Sequence, residues 1–254
     1  MLKIDLTGKL AVITGATGQL GRVMTEILSD CGADIAIHYN SNSAKAEELV
    51  RSVQAKGRRA CAFQADITDM DSVFNMQKQI SQTLGDPDII VCNAVIQYAW
   101  KPVLSQDIPD YYSQFESCVM HNVYMAKAFV PAMTEKNYGR FIAINTECSA
   151  MAEANCSAYA SAKRGLDSFV RCFAKEVGQY NITVNQVAPG WTISYTDRDN
   201  HTEKQEAYDS TVPLGRRGTD LEIAQMVAFL ASDLASFTTG AYIPVSGGRV
   251  MPAI

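Results

Sequence analysis

The sequence predicts an α/β fold: a doubly wound parallel sheet of about seven strands with helices on both faces. Short apolar runs alternate with longer amphipathic segments along all 254 residues, the pattern of repeated strand–helix units. The strand runs are apolar on both faces, as strands are when helices cover a parallel sheet on each side. No repeat, low-complexity tract or linker interrupts the chain, so a single domain over 1–254 is expected.

The individual elements follow from periodicity, in chain order. Strands are predicted where short runs are rich in apolar and β-branched side chains: 10–14, 34–39, 60–65, 88–92, 139–145, 182–188 and 241–245. Helices are predicted where apolar residues recur at helical spacing: 19–30, 43–56, 69–84, 111–136, 157–179 and 221–231. The last helix has a capping-box start, with Thr219 three residues before Glu222. Ligands of such sheets bind beyond the carboxyl ends of the strands.

Composition excludes several classes of function. The net charge is −5 and no dense Lys/Arg run occurs, so neither a nucleic-acid surface nor an anionic membrane is an expected partner. No apolar run approaches the roughly 18–20 residues of a membrane helix, and the start lacks a signal-peptide pattern. The seven cysteines are scattered, odd in number and without a C-x-x-C motif. They argue against a disulfide framework or a metal site and favour a reducing, cytoplasmic location.

A glycine-rich segment joins the first predicted strand to the first predicted helix. In LAVITGATGQLGR, Gly15, Gly18 and Gly21 are spaced three apart. Glycines let the backbone approach a pyrophosphate, and the helix that follows offers free N–H groups and a partial positive charge. A plain turn is the alternative, but a position directly after an N-terminal strand favours a dinucleotide site.

Asp66, at the end of the third strand run, has two interpretations. It can accept a hydrogen bond from an adenine amino group, or it can be an N-cap or turn acid before Ile67, Thr68 and Asp69. Spacing alone leaves both open.

The stretch SAYASAK places Tyr159 and Lys163 four residues apart among small residues. On a helix these positions share one face, about 5–6 Å apart at Cβ. The small neighbours would let another molecule come close to the pair. A packed surface pair is the alternative.

Taken together, these motifs resemble the short-chain dehydrogenase/reductase family, nearest in style to the bacterial 3-oxoacyl-(acyl carrier protein) reductases. The glycine loop, Asp66, Asn93-Ala94, the Y-x-x-x-K pair and Pro189-Gly190 occur in the family's order and spacing, over nearly the whole chain. The resemblance implies a single Rossmann-like domain, a nicotinamide cofactor, and hydride transfer between that cofactor and a carbonyl or secondary alcohol.

The resemblance also implies catalytic roles. Tyr159 is the expected general acid/base. Lys163, together with the positive charge of the cofactor, is expected to lower the tyrosine pKa from about 10, and Lys163 is also expected to hold the nicotinamide ribose. Thr146 stands where the family has a catalytic serine; it keeps the hydroxyl but adds a methyl. Ser149 is the alternative hydroxyl, and Glu147 is expected to be a solvated charge or to rim the pocket.

The family's catalytic asparagine aligns with Cys118. In the family, that asparagine shapes a helix so that a backbone carbonyl holds a water molecule, and this water leads to the lysine. Cys118 keeps that carbonyl, and Asn122, one helical turn further on, could share the task. We interpret Cys118 as part of the site and not as a nucleophile.

Three further positions depart from the family pattern. The N-N-A-G motif after the fourth strand is Cys92-Asn93-Ala94-Val95, Gln19 stands where the short-form family prefers glycine, and Ser246-Gly247-Gly248 replaces D-G-G. Together these changes are less typical of a standard, efficient reductase. The substitutions at Val95, Cys118 and Thr146 favour an alternative function, a cofactor-binding homologue with weak or no catalysis that acts as a sensor or scaffold. Tyr159 and Lys163 favour the enzyme.

The end of the second strand bears on the choice of cofactor. Dehydrogenases that select NAD usually place Asp or Glu there to bind the ribose 2′-OH, whereas residues 38–42 read HYNSN. Asn40 and Ser41 can donate to a 2′-phosphate, with Arg22 helping from the first helix, so NADP(H) is the preferred cofactor and NAD(H) is possible. The residues expected at the cofactor are Gly15, Thr17, Gly18, Gln19, Leu20, Gly21, Asn40, Ser41, Asp66, Ile67, Asn93, Ala94, Tyr159, Lys163, Pro189, Gly190, Thr192 and Ser194.

The expected substrate is a small or free carbonyl compound. Carrier-dependent relatives dock their acidic carrier on two arginines, and the aligned positions here are Asn137 and Tyr180. A lid is expected over residues 191–211, whose charges are mixed. Tyr98, Trp100 and Trp191 could line an apolar pocket, or could serve in packing.

A homotetramer is implied by the family, which pairs the helices near 111–136 and 157–179 across subunits. The apolar C-terminus, residues 250–254, is the only support from the sequence itself.

Overall fold

The strands and helices follow the predicted alternation. The computed structural model describes residues 3–252, so the last two residues of the apolar C-terminus lie outside the described part. The strands are β1 (Leu10–Ile13), β2 (Asp34–Tyr39), β3 (Ala60–Gln64), β4 (Ile89–Cys92), β5 (Gly139–Ile144), β6 (Ile182–Pro189), β7 (Thr192–Ile193), β8 (Gly218–Thr219) and β9 (Tyr242–Val245). The α-helices are α1 (Gln19–Asp30), α2 (Ser43–Ala55), α3 (Met70–Thr83), α4 (Ile108–Phe115), α5 (His121–Lys136), α6 (Cys148–Met151), α7 (Ser157–Val177), α8 (Tyr195–Asp199), α9 (Glu206–Asp209) and α10 (Asp220–Ala231).

Seven strands form one parallel sheet in the order β3-β2-β1-β4-β5-β6-β9. β1 is flanked by β2 and β4, with Val12 opposite both Ala36 and Ile90. The chain winds one way from β1 to β3 and the other way from β4 onward, so the carboxyl ends of β1 and β4 border the crevice where such sheets bind ligands. The predicted Rossmann-like, doubly wound fold is confirmed.

Side chains alternate across the sheet and fill two cores. Ala11 and Ile13 pack with α1, α2 and α10, whereas Leu10 and Val12 pack with α3, α5 and α7 on the opposite face. All four are at most 3% exposed. Because each fully buried Val, Ile or Leu contributes roughly 1.5–3 kcal/mol, both faces of the strand must be apolar. This is the physical cause of the two-sided pattern in the sequence.

The single helix predicted over 111–136 is wrong in its start and its continuity. α4 begins at Ile108, with Pro109 in the first turn, where the missing N–H would have had no partner. Residues Glu116–Met120 are π-helical and lead into α5. A π turn inserts one residue into the helical repeat, and the apolar spacing of the sequence did not reveal it.

The other boundaries agree with the predictions to within about two residues. The predicted capping box is confirmed, since Thr219 Oγ1 accepts from the Glu222 N–H and the Thr219 N–H donates to Glu222 Oε2 at 2.8 Å. Within residues 3–252, no helix has the length and apolar character needed to cross a membrane. Nor does this part of the chain contain three or more His, Cys, Asp or Glu side chains placed to hold a metal ion.

Candidate active site

A cavity of about 630 Å³ opens at the carboxyl edge of the sheet. It runs from the glycine loop and the end of β2, across the end of β4, to α7 and the segment after β6. Of the residues predicted at the cofactor, those that line it are Gly15, Thr17, Gly18, Gln19, Leu20, Asn40, Ser41, Ile67, Asn93, Ala94, Tyr159, Lys163, Pro189, Gly190 and Thr192. The predicted cofactor residues therefore line the cavity at the point between β1 and β4 where the strand order of the sheet reverses.

The glycine loop is built for close backbone contacts. Gly15 has φ +62°, and a Cβ there would lie 3.0 Å from the Ala94 Cα atom. A Cβ on Gly21 would lie 2.2 Å from the Gly15 carbonyl oxygen, so Gly21 serves the packing of α1 and not the cavity lining. α1 begins after Gly18 without a side-chain cap, which leaves N–H groups of its first turn to bind an anion. These features fit the pyrophosphate of a nicotinamide dinucleotide.

Thr14 joins the ends of β1 and β4, and the sequence analysis missed it. Its hydroxyl oxygen accepts from the Asn93 N–H at 2.9 Å and from the Ala94 N–H at 3.1 Å. The Asn93 amide donates in turn to the carbonyl oxygens of Thr14 and Gly15, at 3.0 and 3.2 Å. The floor of the cavity is thus cross-linked where the sheet reverses its winding.

His38 is a second residue that the sequence analysis did not assign to the site. It lines the cavity, and its Nδ1 accepts from the Gly15 N–H at 2.9 Å. The other nitrogen, Nε2, must therefore carry the proton, which it donates to the Ala65 carbonyl at 3.0 Å. Burial lowers the pKa of His38 to about 4, so this neutral tautomer persists at neutral pH and fixes the glycine loop on β2.

Asp66 takes the turn role that was one of its two interpretations. Its Oδ1 accepts from the Thr68 N–H at 2.8 Å and from the Thr68 hydroxyl at 2.7 Å. The N-cap of α3 is Asp69 instead. A contact between the Asp66 carboxylate and adenine stays a prediction.

Tyr159 and Lys163 lie side by side in the first turns of α7. Lys163 is 3% exposed, its ammonium donates to the Ile144 carbonyl at 2.6 Å, and it lies 5.7 Å from the centroid of the Tyr159 ring. Burial raises the pKa of Tyr159 well above its ordinary value of 10, and a hydrogen bond with the Thr146 side chain opposes that rise. Without the cofactor, desolvation outweighs the favourable contacts, and the expected lowering, which includes the cofactor's positive charge, stays a prediction. Tyr159 is a neutral phenol.

Thr146 faces Tyr159, and Ser149 does not. The Thr146 side chain is near enough to the phenol to oppose the rise in its pKa, and its hydroxyl oxygen accepts from the Cys148 N–H at 3.3 Å. The Ser149 hydroxyl donates instead to the Thr146 carbonyl at 2.9 Å, beside the Tyr242 hydroxyl. Of the two candidate hydroxyls, only Thr146 is placed next to the tyrosine.

Cys118 lies in the π-helical turn and is fully buried. Its backbone carbonyl accepts from the Asn122 amide at 2.8 Å. The Asn122 Oδ1 atom is buried and has no hydrogen-bond partner among the described residues. The carbonyl expected to hold a water is thus shared with Asn122, and Asn122 offers a second buried acceptor beside it.

A hydrogen-bonded chain behind α7 positions Thr146 and Lys163. Asn145 accepts from the Thr146 N–H at 2.8 Å and donates to the Lys163 carbonyl at 3.0 Å. It also donates to Gln186, whose own amide donates to Asp167 at 2.5 Å. All of these groups are buried, so each partner offsets the cost of desolvating the other.

Comparison with known proteins identifies the family. Residues 15–249 match the family described as enoyl-(acyl carrier protein) reductase. The chain is 36% identical to 3-oxoacyl-[acyl-carrier-protein] reductase FabG of Pseudomonas aeruginosa, over 98% of this chain and all of that protein. It is 30% identical to the Staphylococcus aureus FabG, over 96% of this chain and 98% of that protein.

This chain belongs to the short-chain dehydrogenase/reductase family.

Solved structures agree with that assignment. NAD+-bound xylitol dehydrogenase superposes with a TM-score of 0.89 at 27% identity, covering 96% of this chain and 99% of the other. A blue fluorescent protein from a metagenomic library, in complex with NADPH, gives 0.89 at 32%, covering 97% and 100%. A gluconate 5-dehydrogenase from Burkholderia cenocepacia, in complex with NADP and tartrate, gives 0.89 at 25%, covering 97% of each chain. The protein is an NAD(P)-dependent oxidoreductase, and the prediction of an enzyme is confirmed.

Arg217, which lies beyond the predicted lid (residues 191–211) in the sequence, holds this segment in place by hydrogen bonds. This guanidinium is fully buried and donates to the Thr192 carbonyl at 2.9 Å and to Asp197 Oδ2 at 2.8 Å. It also donates to the carbonyls of Trp191 and Thr202, at 3.3 Å each. The sequence did not predict these contacts of Arg217. Ser194, which was predicted at the cofactor, instead caps α8 and does not line the cavity.

Glu147 is buried, and its expected solvent exposure is wrong. The residue is 3% exposed, and Glu147 Oε1 accepts from Arg249 Nη1 at 2.7 Å and from the Tyr208 hydroxyl at 2.9 Å. Its backbone N–H donates to the Pro189 carbonyl at 2.9 Å. The partners come from three separate parts of the chain, so local sequence did not reveal the burial.

Proposed function

We propose that this chain is an NADP(H)-preferring reductase of small, uncharged carbonyl compounds, acting as one domain in which Tyr159 is the general acid. One observation supports this most: the half-buried Tyr159 phenol lies near the Thr146 side chain and beside Lys163, in the cavity that the glycine loop borders. A neutral phenol is the form needed to donate a proton to a carbonyl oxygen as it becomes an alcohol.

The residues divide the work as follows. A bound nicotinamide cofactor supplies the hydride. Tyr159 donates the proton at its hydroxyl, and Thr146 orients the same substrate oxygen. Lys163 stabilises the phenolate left after transfer, from its place at the Ile144 carbonyl. Lys163 then passes an ammonium proton to the phenolate, and it regains a proton from solvent through water held by the Cys118 carbonyl and Asn122 Oδ1.

The preference for NADP(H) is supported by the charges around the cavity. Its lining, among the described residues, includes Asn40 and Ser41 and no carboxylate. Arg22 lies with its guanidinium 3.4 Å from the centroid of the Tyr195 ring, and its Nη2 atom is buried with no hydrogen-bond partner in the described structure. Arg22 lines an adjoining pocket that also includes Glu26 and Glu48. Within the cavity itself, a 2′-phosphate would be repelled by no acid and would meet the donors of Asn40 and Ser41. A higher kcat/KM with NADH than with NADPH would overturn the preference.

Carrier-bound 3-oxoacyl thioesters are the second candidate substrate, favoured by the 36% identity to a 3-oxoacyl-carrier-protein reductase. Asn137 and Tyr180 argue against them, since neither can make a charge-assisted contact with an acidic carrier. The deciding measurement compares kcat/KM for acetoacetyl-carrier protein with that for acetoacetyl esters and small ketones. A preference above ~100-fold for the carrier form, about 2.7 kcal/mol of transition-state binding, would establish the second candidate instead.

A homotetramer in the cytoplasm completes the proposal. The α4 surface exposes Ile108, Tyr112 and Phe115, and Phe237 and Met251 are exposed near the C-terminus. Two such apolar surfaces suit the two kinds of contact that a tetramer needs. All seven cysteines are free thiols, which suits a reducing compartment. A monomer by light scattering at micromolar concentration would contradict the tetramer.

A further inference from the structure

Tyr208 is the point at which the second half of the lid meets the catalytic loop. It lies in the short helix α9, and its hydroxyl donates to Glu147 Oε1 at 2.9 Å. The same hydroxyl accepts from the Trp191 N–H at 2.8 Å. Burial raises the pKa of Tyr208 well above 10, so it stays a phenol able to donate. One hydroxyl thus links α9 of the lid with Trp191, which follows Gly190, and with Glu147, which follows Thr146.

The aromatic rings around this hydroxyl form a stack that holds the lid from both sides. The Tyr208 ring meets Trp191 edge-on, with centroids 5.4 Å apart. Arg249 lies 4.6 Å from the Tyr208 centroid, and Arg217 lies 4.3 Å from that of Trp191. Cation–aromatic contacts of this kind stabilise the stack. The hydrogen bond to Glu147 ties these rings directly to the loop that holds Thr146, and Arg249 adds an indirect link because it contacts both the Tyr208 ring and Glu147.

Gly190 shows how closely the parts meet. A Cβ on this residue would lie 2.7 Å from the Tyr208 hydroxyl oxygen and 3.1 Å from Glu147 Oε2. Gly190 also lines the large cavity. The Glu147–Tyr208 contact is therefore separated from the cavity by a single residue that has no side chain.

The remaining oxygen of Glu147 points to a role beyond simple charge pairing. Oε2 is buried and has no hydrogen-bond partner in residues 3–252, although Oε1 accepts twice. Leaving a carboxylate oxygen unpaired in the interior has a free-energy cost. Arg249 would still be neutralised without Glu147, because it also pairs with Glu153.

We propose that Glu147 is a positioning residue that seats the lid over the substrate through the Tyr208 hydroxyl. The mechanism rests on the proposed carbonyl reduction. When Glu147 holds Tyr208, the Trp191 N–H is held as well, and the lid closes the substrate end of the cavity beside Thr146. When that bond is lost, the lid opens at α9 while the segment braced by Arg217 keeps its place, so substrate affinity falls and cofactor affinity does not.

The test is a double-mutant cycle of Glu147→Gln and Tyr208→Phe in the full chain, with Glu153→Gln as the matched control. Glu153 shares Arg249 with Glu147 but makes no bond to Tyr208. Tyr208→Phe keeps the ring stack and removes only the hydroxyl, so this variant still tests the contact with Glu147 if the Glu147 variant folds poorly. KM and kcat for a small ketone, and Kd for NADPH, are measured for all variants.

We expect each single variant to raise KM about tenfold, the effect of losing one charge-assisted hydrogen bond. kcat and the Kd of NADPH should change by less than about threefold. The double variant should be no worse than the worse single variant, because each change removes the charge-assisted bond between Tyr208 and Glu147. Glu153→Gln should resemble the wild type. Additive effects, or equal effects of the two glutamate variants, would overturn the proposal.

A second readout does not depend on turnover. Amide hydrogen exchange over residues 205–211 should be faster in Glu147→Gln and Tyr208→Phe than in the wild type and in Glu153→Gln. If the wild type reduces no carbonyl compound in a broad panel, the proposed function fails while this exchange pattern still decides the lid contact. Unchanged exchange in both single variants would refute the role of Glu147.

Discussion

Replacing Arg217 by alanine should cause the largest loss of stability of any single change in the lid region. The guanidinium is 0% exposed and its partner Asp197 is 16% exposed, so removal leaves a largely buried carboxylate without its cation. The carbonyls of Trp191, Thr192 and Thr202 lose a donor at the same time.

The expected magnitude follows from these lost contacts. Breaking a buried ion pair from one side costs about 3–5 kcal/mol, and each unsatisfied carbonyl adds about 1 kcal/mol or more. The total is roughly 6–8 kcal/mol. At roughly 2–4 °C per kcal/mol for a chain of this size, Tm should fall by about 12–32 °C if the lid and the sheet unfold together. Arg217→Lys should recover only part of the loss, because an ammonium lacks the planar fork that reaches several acceptors.

The pH dependence gives the prediction a second check. Hydrogen bonding from Arg217 lowers the pKa of Asp197 well below its usual 3.8. A group with a depressed folded-state pKa contributes stability above its unfolded pKa and loses it as pH falls through the folded value. The wild type should therefore lose part of its advantage over Arg217→Ala below about pH 4.

The assay is urea or thermal unfolding, followed by circular dichroism and by tryptophan fluorescence, which reports on Trp191 beside Arg217. If the lid opens separately, fluorescence should change before the far-ultraviolet signal. A Tm within about 2 °C of wild type, with unchanged fluorescence and unchanged KM, would refute the reasoning.

Three further predictions concern the catalytic residues. Tyr159→Phe should lower kcat by ~10²–10⁴-fold and leave the affinity for NADPH, measured by titration, nearly unchanged. Lys163→Ala should lower both kcat and the affinity for NADPH. Near-normal rates in Tyr159→Phe would place the proton donor elsewhere. Thr146→Ser should be mild or beneficial in kcat/KM, and Thr146→Ala should cost ~10²-fold or more; equal activity of threonine and alanine would exclude a hydroxyl role. Cys118→Asn should raise kcat or leave it within about threefold, because the backbone carbonyl that Asn122 contacts is retained; a collapse of activity would show that the thiol, or the space it leaves, is required.

The sequence by itself determined those features that depend on neighbours in the chain. Two-sided apolar runs predicted the buried parallel strands, because covering both faces of a sheet requires it. The glycine loop and the spacing of Tyr159 and Lys163 are local as well: a tight turn needs glycine, and residues four apart share a helix face. Their combination sufficed for the family, and with it for the nicotinamide cofactor.

Only the tertiary structure decided which side chains are buried and which partners they have. Glu147 is adjacent to Thr146 in the chain, yet its contact with Arg249 spans 102 positions. Arg217 braces residues 15 to 26 positions away, and the neutral tautomer of His38 depends on donors and acceptors from two other segments. From its sequence neighbours alone, a charged residue is expected to be exposed to solvent, because its burial depends on which distant residues pack against it. The free energy that makes such burial tolerable comes from partners that the fold, and not the local sequence, brings within hydrogen-bond distance.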